Sequence, residues 1–208
     1  MKQKVVNLQG SEIKEISLST KLFGTEFNGI LLKEVIEYQR SKARQATYGT
    51  KNRSKLAYST KKMARQKGRG MARVGQRGPC HHRGGSVAFG PDGRKYDFEI
   101  PKKKIKQALS MCLSQKLRDQ DVIFVDQMDF PEIKTKQFCS VIESLNLPRK
   151  TLFIDVDKKQ NFFLSMRNVV NFDFIPTMGL NPLSIVKSKK LVITEEAVKA
   201  LENRYENK

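Results

Sequence analysis

Residues 61–91 read KKMARQKGRGMARVGQRGPCHHRGGSVAFGP. The stretch holds no aspartate and no glutamate, a glycine every few positions and almost nothing that could seed a core. Solvated charge runs usually sit at chain ends, where disorder does little harm. This one lies inside the chain, between two stretches that look able to fold. Read as part of a domain, it lacks a buried face. Read as an insertion, it leaves two flanks that fold together, and that second reading sets the fold.

The acid-free run extends back to Tyr38, giving 54 residues from Tyr38 to Pro91 without a carboxylate. It carries 14 basic side chains: Arg40, Lys42, Arg44, Lys51, Arg53, Lys55, Lys61, Lys62, Arg65, Lys67, Arg69, Arg73, Arg77 and Arg83. Removing these 14 charges from the net +19 leaves +5 for the other 154 residues, and eight of the 13 glycines also fall in the run. The remainder is close to ordinary globular composition. The expected organisation is a globular domain built from residues 1–40 and 95–208, with an extended basic loop over 41–94 inserted in it. A chain of 208 residues suits one domain with such an insertion.

The flanks alternate strand and helix signals. Lys4 to Gln9 and Glu12 to Leu18, separated by Gly10-Ser11, read as a short strand pair. Leu31, Leu32, Val35, Ile36 and Tyr38 recur at helical spacing within Phe27 to Arg40. Pro101 suits the first turn of a helix whose apolar face is Ile105, Leu109, Cys112, Leu113 and Leu117. Asp121 to Asp126, Thr151 to Val156, Phe172 to Ile175 and Leu191 to Ile193 read as short apolar strands. Lys134 to Leu145 and Asn161 to Val169 read as helices between them, and Thr194 caps a final helix over Glu195 to Tyr205. Strands that are apolar throughout and alternate with helices indicate a mostly parallel sheet covered on both faces. The predicted fold class is α/β, a Rossmann-like domain with the extended basic loop.

A net charge of +19 points to a polyanionic partner, nucleic acid before an anionic membrane. Three cysteines, Cys80, Cys112 and Cys139, form no paired framework and fit a reducing compartment. The first residues lack the long apolar run of a signal peptide, and no window of about 18 apolar residues suggests a bilayer span. The expectation is an intracellular protein with no membrane partner.

Three readings of the loop compete. A disordered linker fits its charge but not its internal position or its alternation of glycine with cations. A phosphate loop fits poorly: Gly68-Arg69-Gly70-Met71-Ala72-Arg73 lacks the third glycine of a dinucleotide fingerprint, no strand precedes it, and no acid follows about 20 residues on. An arm threaded through folded RNA fits every oddity. Phosphates and sugars give partners to the cations and the bare backbone. Glycine allows close approach, and arginine holds phosphate bidentately and stacks on bases. Absence of acids follows, since each would face phosphate. A free RNA- or DNA-binding regulator is the alternative from this pattern.

At this point the residues resemble a known family. Gln66-Lys67-Gly68-Arg69-Gly70-Met71-Ala72-Arg73-Val74-Gly75 is similar to the QKGxGxARxG motif of large ribosomal subunit protein four, bacterial type. Arg83-Gly84-Gly85-Ser86-Val87-Ala88-Phe89-Gly90-Pro91 resembles its RGGGVxFGP motif. Pro101-Lys102-Lys103 with Ala108-Leu109, Phe23 with Phe27, and Val192 to Val198 fit the same family in the same order. The sequence departs from the pattern in having no tryptophan: Ala64 and His82 stand where many members carry one, and Met71 stands where a cation is frequent.

The resemblance implies a structural constituent of the ribosome that is not an enzyme and needs no cofactor. Its implied partners are large-subunit ribosomal RNA, neighbouring large-subunit proteins and the nascent peptide, on a ribosome in bacterial cytoplasm or an organelle matrix. It also implies that Arg65, Gln66, Lys67, Gly68, Arg69, Gly70, Met71, Ala72 and Arg73 form a loop tip at the peptide exit tunnel.

Smaller signals are weighed against plainer readings. Cys80-His81-His82 lacks the spaced ligand pair of a zinc site, so no metal is expected and RNA contact is the simpler role for both histidines. Cys112 lies on an apolar helix face and reads as core. Lys102, Lys103 and Lys104, followed by Lys106, oppose the dipole of the helix they open. They suit either a solvated turn or an RNA-phosphate contact shared with the free helix N–H groups.

Overall fold

The computed structural model describes residues 1–206 and divides the chain into two compact units, Met1–Gln39 with Glu99–Lys208, and Arg40–Phe98. The first unit is an α/β domain. Its elements in chain order are β1 (Lys2–Val6), β2 (Glu12–Ser17), α1 (Thr20–Phe23), α2 (Gly29–Ala43), α3 (Lys102–Arg118), β3 (Val122–Val125) and α4 (Thr135–Ser144). There follow β4 (Thr151–Asp155), α5 (Gln160–Met166), β5 (Phe172–Pro176), a single 3₁₀ turn (Thr177–Gly179), α6 (Pro182–Lys187), β6 (Lys190–Thr194) and α7 (Glu195–Glu206). Helix α2 continues three residues beyond the expected start of the loop, to Ala43.

One six-stranded sheet runs in the order β2-β1-β3-β6-β4-β5. Every pairing is parallel except that of β1 with β2, which leaves one antiparallel edge. The mostly parallel sheet is the one the sequence predicts: β3, β4 and β6 are apolar where both faces are covered, while the edge strand β2 is charged and exposed.

Alternation along the strands assigns each side chain to a face. Phe124, Leu152, Ile154, Leu191 and Ile193 pack in one cluster with Leu22 and Phe23 of α1, Leu109 and Leu113 of α3, Ile185 of α6, and Ala197 and Leu201 of α7. The residues between them, Val125, Phe153 and Val192, turn to the other face and meet Phe138 and Val141 of α4 and Phe162 and Met166 of α5. There Phe138 meets Phe162 and Phe172 edge-on, with ring centroids 5.7 and 5.6 Å apart, and Phe153 at 5.5 Å. Such aromatic contacts add to area burial. A smaller cluster of Val35, Ala108 and Met111 seats α2 on α3.

Two short helices are held by polar groups that periodicity does not reveal. The C-terminal carbonyls of α1 would be orphaned in the core. Ser110 Oγ of α3 donates to the Leu22 carbonyl at 2.7 Å, while Ser114 Oγ accepts from the Thr25 backbone N–H at 3.1 Å. Helix α6 opens with Asn181, whose Oδ1 accepts from Ser184 N at 2.9 Å, and Pro182 follows at the first helical position.

The expected cap of α7 is present: Thr194 Oγ1 accepts from Ala197 N at 3.2 Å. The same hydroxyl donates to the buried Asp155 carboxylate at 2.7 Å, tying β4 to the end of β6. Beside it, Lys14 bridges Asp126 and Glu195 and, with Lys199, holds the Glu195 carboxyl below its ordinary range. No helix among the described residues is long and apolar enough to cross a membrane.

Candidate nucleic-acid interface

The second unit, Arg40–Phe98, contains no buried apolar side chain among the described residues. What shapes it is backbone pairing and a few polar contacts. At its base, Gly49 and Asp92 form an antiparallel bridge, and Thr50 N donates to the Pro91 carbonyl at 2.8 Å. Lys55 pairs with Asp92, and the hydroxyls of Tyr48 and Tyr96 hydrogen-bond to each other. That bond raises the pKa of Tyr48 and lowers that of Tyr96. Arg44 lies over the Tyr96 ring at 3.9 Å and Arg94 at 5.2 Å. A cation over a ring face at an exposed site gains about 0.5–1 kcal/mol.

Further along, Arg53 beside the Tyr58 hydroxyl lowers its pKa. A Cβ on Gly78 would run into the Tyr58 ring, so the close pass of the two strands depends on glycine there. A tight turn follows, with His82 N donating to the Pro79 carbonyl and Gly85 N to the His82 carbonyl. The rings of His81 and His82 lie 4.1 Å apart.

The tip begins where Met63 N donates to the Gly75 carbonyl at 2.9 Å. Gly68 and Gly70 take positive φ, +80° and +67°, in open space, a backbone path that other residues rarely follow. All nine expected tip residues, Arg65 through Arg73, are exposed.

All 14 predicted loop cations are exposed. Arg44, Arg53, Lys55 and Lys62 have partners in Tyr96, Tyr58, Asp92 and Gln66. Nine others, Arg40, Lys51, Lys61, Arg65, Lys67, Arg69, Arg73, Arg77 and Arg83, make no side-chain hydrogen bond, ion pair or ring contact among the described residues. In the first unit, Lys102 and Lys103 are exposed in the uncapped first turn of α3. Lys104 is engaged instead: its Nζ lies 2.8 Å from both Glu34 carboxylate oxygens. Lys106 stands over the Tyr205 ring at 5.5 Å.

The sequence reading misses Arg94, because the acid-free count stops at Asp92, and it misses the tyrosines that order the base. A pair of Tyr–Arg neighbours on both sides of the glycine-rich run was the available signal.

A model of the family described as ribosomal protein L4/L1 matches residues 16–204, which takes in both units almost whole. The chain belongs to the ribosomal protein L4/L1 family. Membership makes it a ribosomal protein, a structural constituent of the ribosome, and bears out the resemblance carried by Gln66–Gly75 and Arg83–Pro91. A curated relative from Desulfatibacillum aliphaticivorans, named large ribosomal subunit protein uL4, is 41% identical over 203 residues, 98% of each chain. At that coverage the family match leaves no part of the basic arm outside it.

Proposed function

We propose that this ribosomal protein belongs to the large subunit and binds its RNA through the Arg40–Phe98 arm, whose tip, Arg65 to Arg73, lines the nascent-peptide exit tunnel. The observation that carries this reading is the set of nine arm cations with no partner among the described residues, on a segment with no buried apolar side chain. A segment of that kind gains little from its own contacts. Counterion release on meeting phosphate supplies what it lacks.

The name of the uL4 relative supports the large subunit as the site of assembly. Glycines at positive φ in open space let the tip follow RNA closely. At the start of α3, Lys102 and Lys103 join free helix N–H groups in an arrangement suited to phosphate, whereas Lys104 is held by Glu34. Nothing in this role calls for catalysis; the chain acts by neutralising and positioning folded RNA, in company with neighbouring ribosomal proteins.

Sedimentation of the tagged protein from its native lysate through sucrose, in low and in high salt, tests the assignment. Co-migration with the large subunit that persists at high salt is the expected result. A free or salt-released pool would mark a peripheral binder and remove the tunnel role of Lys67 to Arg73.

A further inference from the structure

Phe89 is the most exposed large apolar residue among the described residues, at 108% of its reference area, and it adopts φ +54°. Neither fact is usual for phenylalanine. Of the four other non-glycine residues at positive φ among the described residues, Lys150 and Asn171 are joined by a backbone hydrogen bond beside the sheet, Lys150 N donating to the Asn171 carbonyl at 2.8 Å. Gln120 and Asn146 each terminate a helix, where Asp121 N reaches back to the Lys116 carbonyl and Leu147 N to that of Ile142. Phe89 follows no helix.

The surrounding hydrogen bonds show what holds it there. Val87 N donates to the Lys51 carbonyl at 3.0 Å, and Thr50 N donates to the Pro91 carbonyl at 2.8 Å. Consecutive residues 50 and 51 on one strand thus face positions 87 and 91 on the other. Ala88, Phe89 and Gly90 are extra, and they bulge outward with Phe89 at the middle. Gly90 fixes the bulge closely, since a Cβ there would strike the Thr50 side chain. The ring itself makes no aromatic or cation contact among the described residues. Strain of this kind persists only where the surroundings over-determine it, and it collects at binding sites.

We infer that Phe89 is a base-stacking residue, presented by the 87–91 bulge to an unpaired ribosomal RNA base. The inference rests on the arm's binding of ribosomal RNA and adds a sequence-tolerant aromatic contact to the electrostatic one. RNA is the partner that the local charge favours. Phe89 lies within the run without carboxylates, and Asp92, the nearest acid along the chain, is paired with Lys55. An apolar ring projecting from a cationic strand offers a base its π-face while phosphates are drawn in beside it.

The test is binding of the full-length protein to protein-free large-subunit ribosomal RNA across a salt series, for the wild type, Phe89→Ala and Phe89→Tyr. Phe89→Ala should weaken binding by about 5- to 150-fold with an unchanged salt slope, the range expected of one aromatic–base stack. Phe89→Tyr, which keeps the ring, should bind within about threefold of wild type. Unfolding of the α/β domain should be the same in all three, because the side chain touches nothing. Equal binding by Phe89→Ala, with or without loss of a neighbouring protein from reconstituted particles, would overturn the stacking role while leaving the arm's RNA binding intact. Wild-type protein that fails to bind with a steep salt dependence would instead overturn the arm reading itself, and Phe89 with it.

Discussion

The two units solve opposite problems with the same backbone chemistry. In the α/β domain, apolar side chains on both faces of a mostly parallel sheet are removed from water, and most buried polar groups have partners: Asp155 Oδ1 is held by Thr194, while Asp155 Oδ2 and Gln137 Oε1 are left unpaired. In the arm, no apolar side chain is buried among the described residues, and backbone hydrogen bonds gather at the base, the Asn52–Leu56 turn, the Gly78–Ser86 turn and the neck of the tip. The first unit carries its stability internally. The second is shaped in outline only, and on the proposed reading RNA supplies the rest. Removing a contact in one unit should therefore change folding, and in the other should change association.

The largest effect expected in the domain is from Phe153→Ala. Phe153 is fully buried, with the rings of Phe138 and Phe162 each 5.5 Å away. Its loss should cost about 3–5 kcal/mol in urea denaturation followed by circular dichroism. A loss under about 1 kcal/mol would mean that this face of the sheet is not a packed core. Thr194→Val comes next. It keeps the shape but removes both the cap of α7 and one of the two donors to Asp155 Oδ1, leaving Val156 N as the other, at about 1–3 kcal/mol in the same experiment. An unchanged midpoint would show that the Thr194 link contributes nothing.

Arm substitutions should leave that stability alone. Converting Lys61, Arg65, Lys67, Arg69, Arg73, Arg77 and Arg83 together to glutamine is expected to leave the melting temperature essentially unmoved, because none has a folded-state partner among the described residues. A marked fall in melting would show that the arm is part of the folding unit. Lys103→Glu, at the exposed start of α3, should weaken RNA binding without lowering the melting temperature; lowered melting with unchanged binding would make Lys103 a structural residue.

The smallest effect separates buried from exposed positions by chemistry alone. Burial pushes the Cys112 thiol up to about 11. Iodoacetamide near pH 8 should modify exposed Cys80 of the arm and Cys139 of α4 promptly, and Cys112 only after unfolding. Equal labelling of all three by mass spectrometry would contradict the burial of that helix face.

Much of the domain was legible because its signals are periodic. Leu109, Cys112 and Leu113 announced the buried face of α3, and the four apolar runs became β3, β4, β5 and β6 within a residue or two. What was not legible rests on contacts distant in sequence. Helix α1 depends on Ser110 and Ser114, 88 and 92 residues from Leu22, whereas Asn181-Pro182 before α6 is a start signal readable in the sequence. Charge and glycine content marked the arm plainly. Its internal order did not show, because the Tyr48–Tyr96 pair and the bulge at Phe89 arise from pairing across the loop.

The most direct test of the central claim is the salt dependence of binding to protein-free large-subunit ribosomal RNA, for the wild type and the seven-cation variant. If half of the 14 arm cations meet phosphate, the log–log slope should be on the order of −5 for the wild type, using the single-strand value for each contact. It should fall to roughly half of that in the variant, which keeps seven of the 14 arm cations, with the fold intact. Equal slopes for the two proteins would mean that the arm does not carry the electrostatic contact.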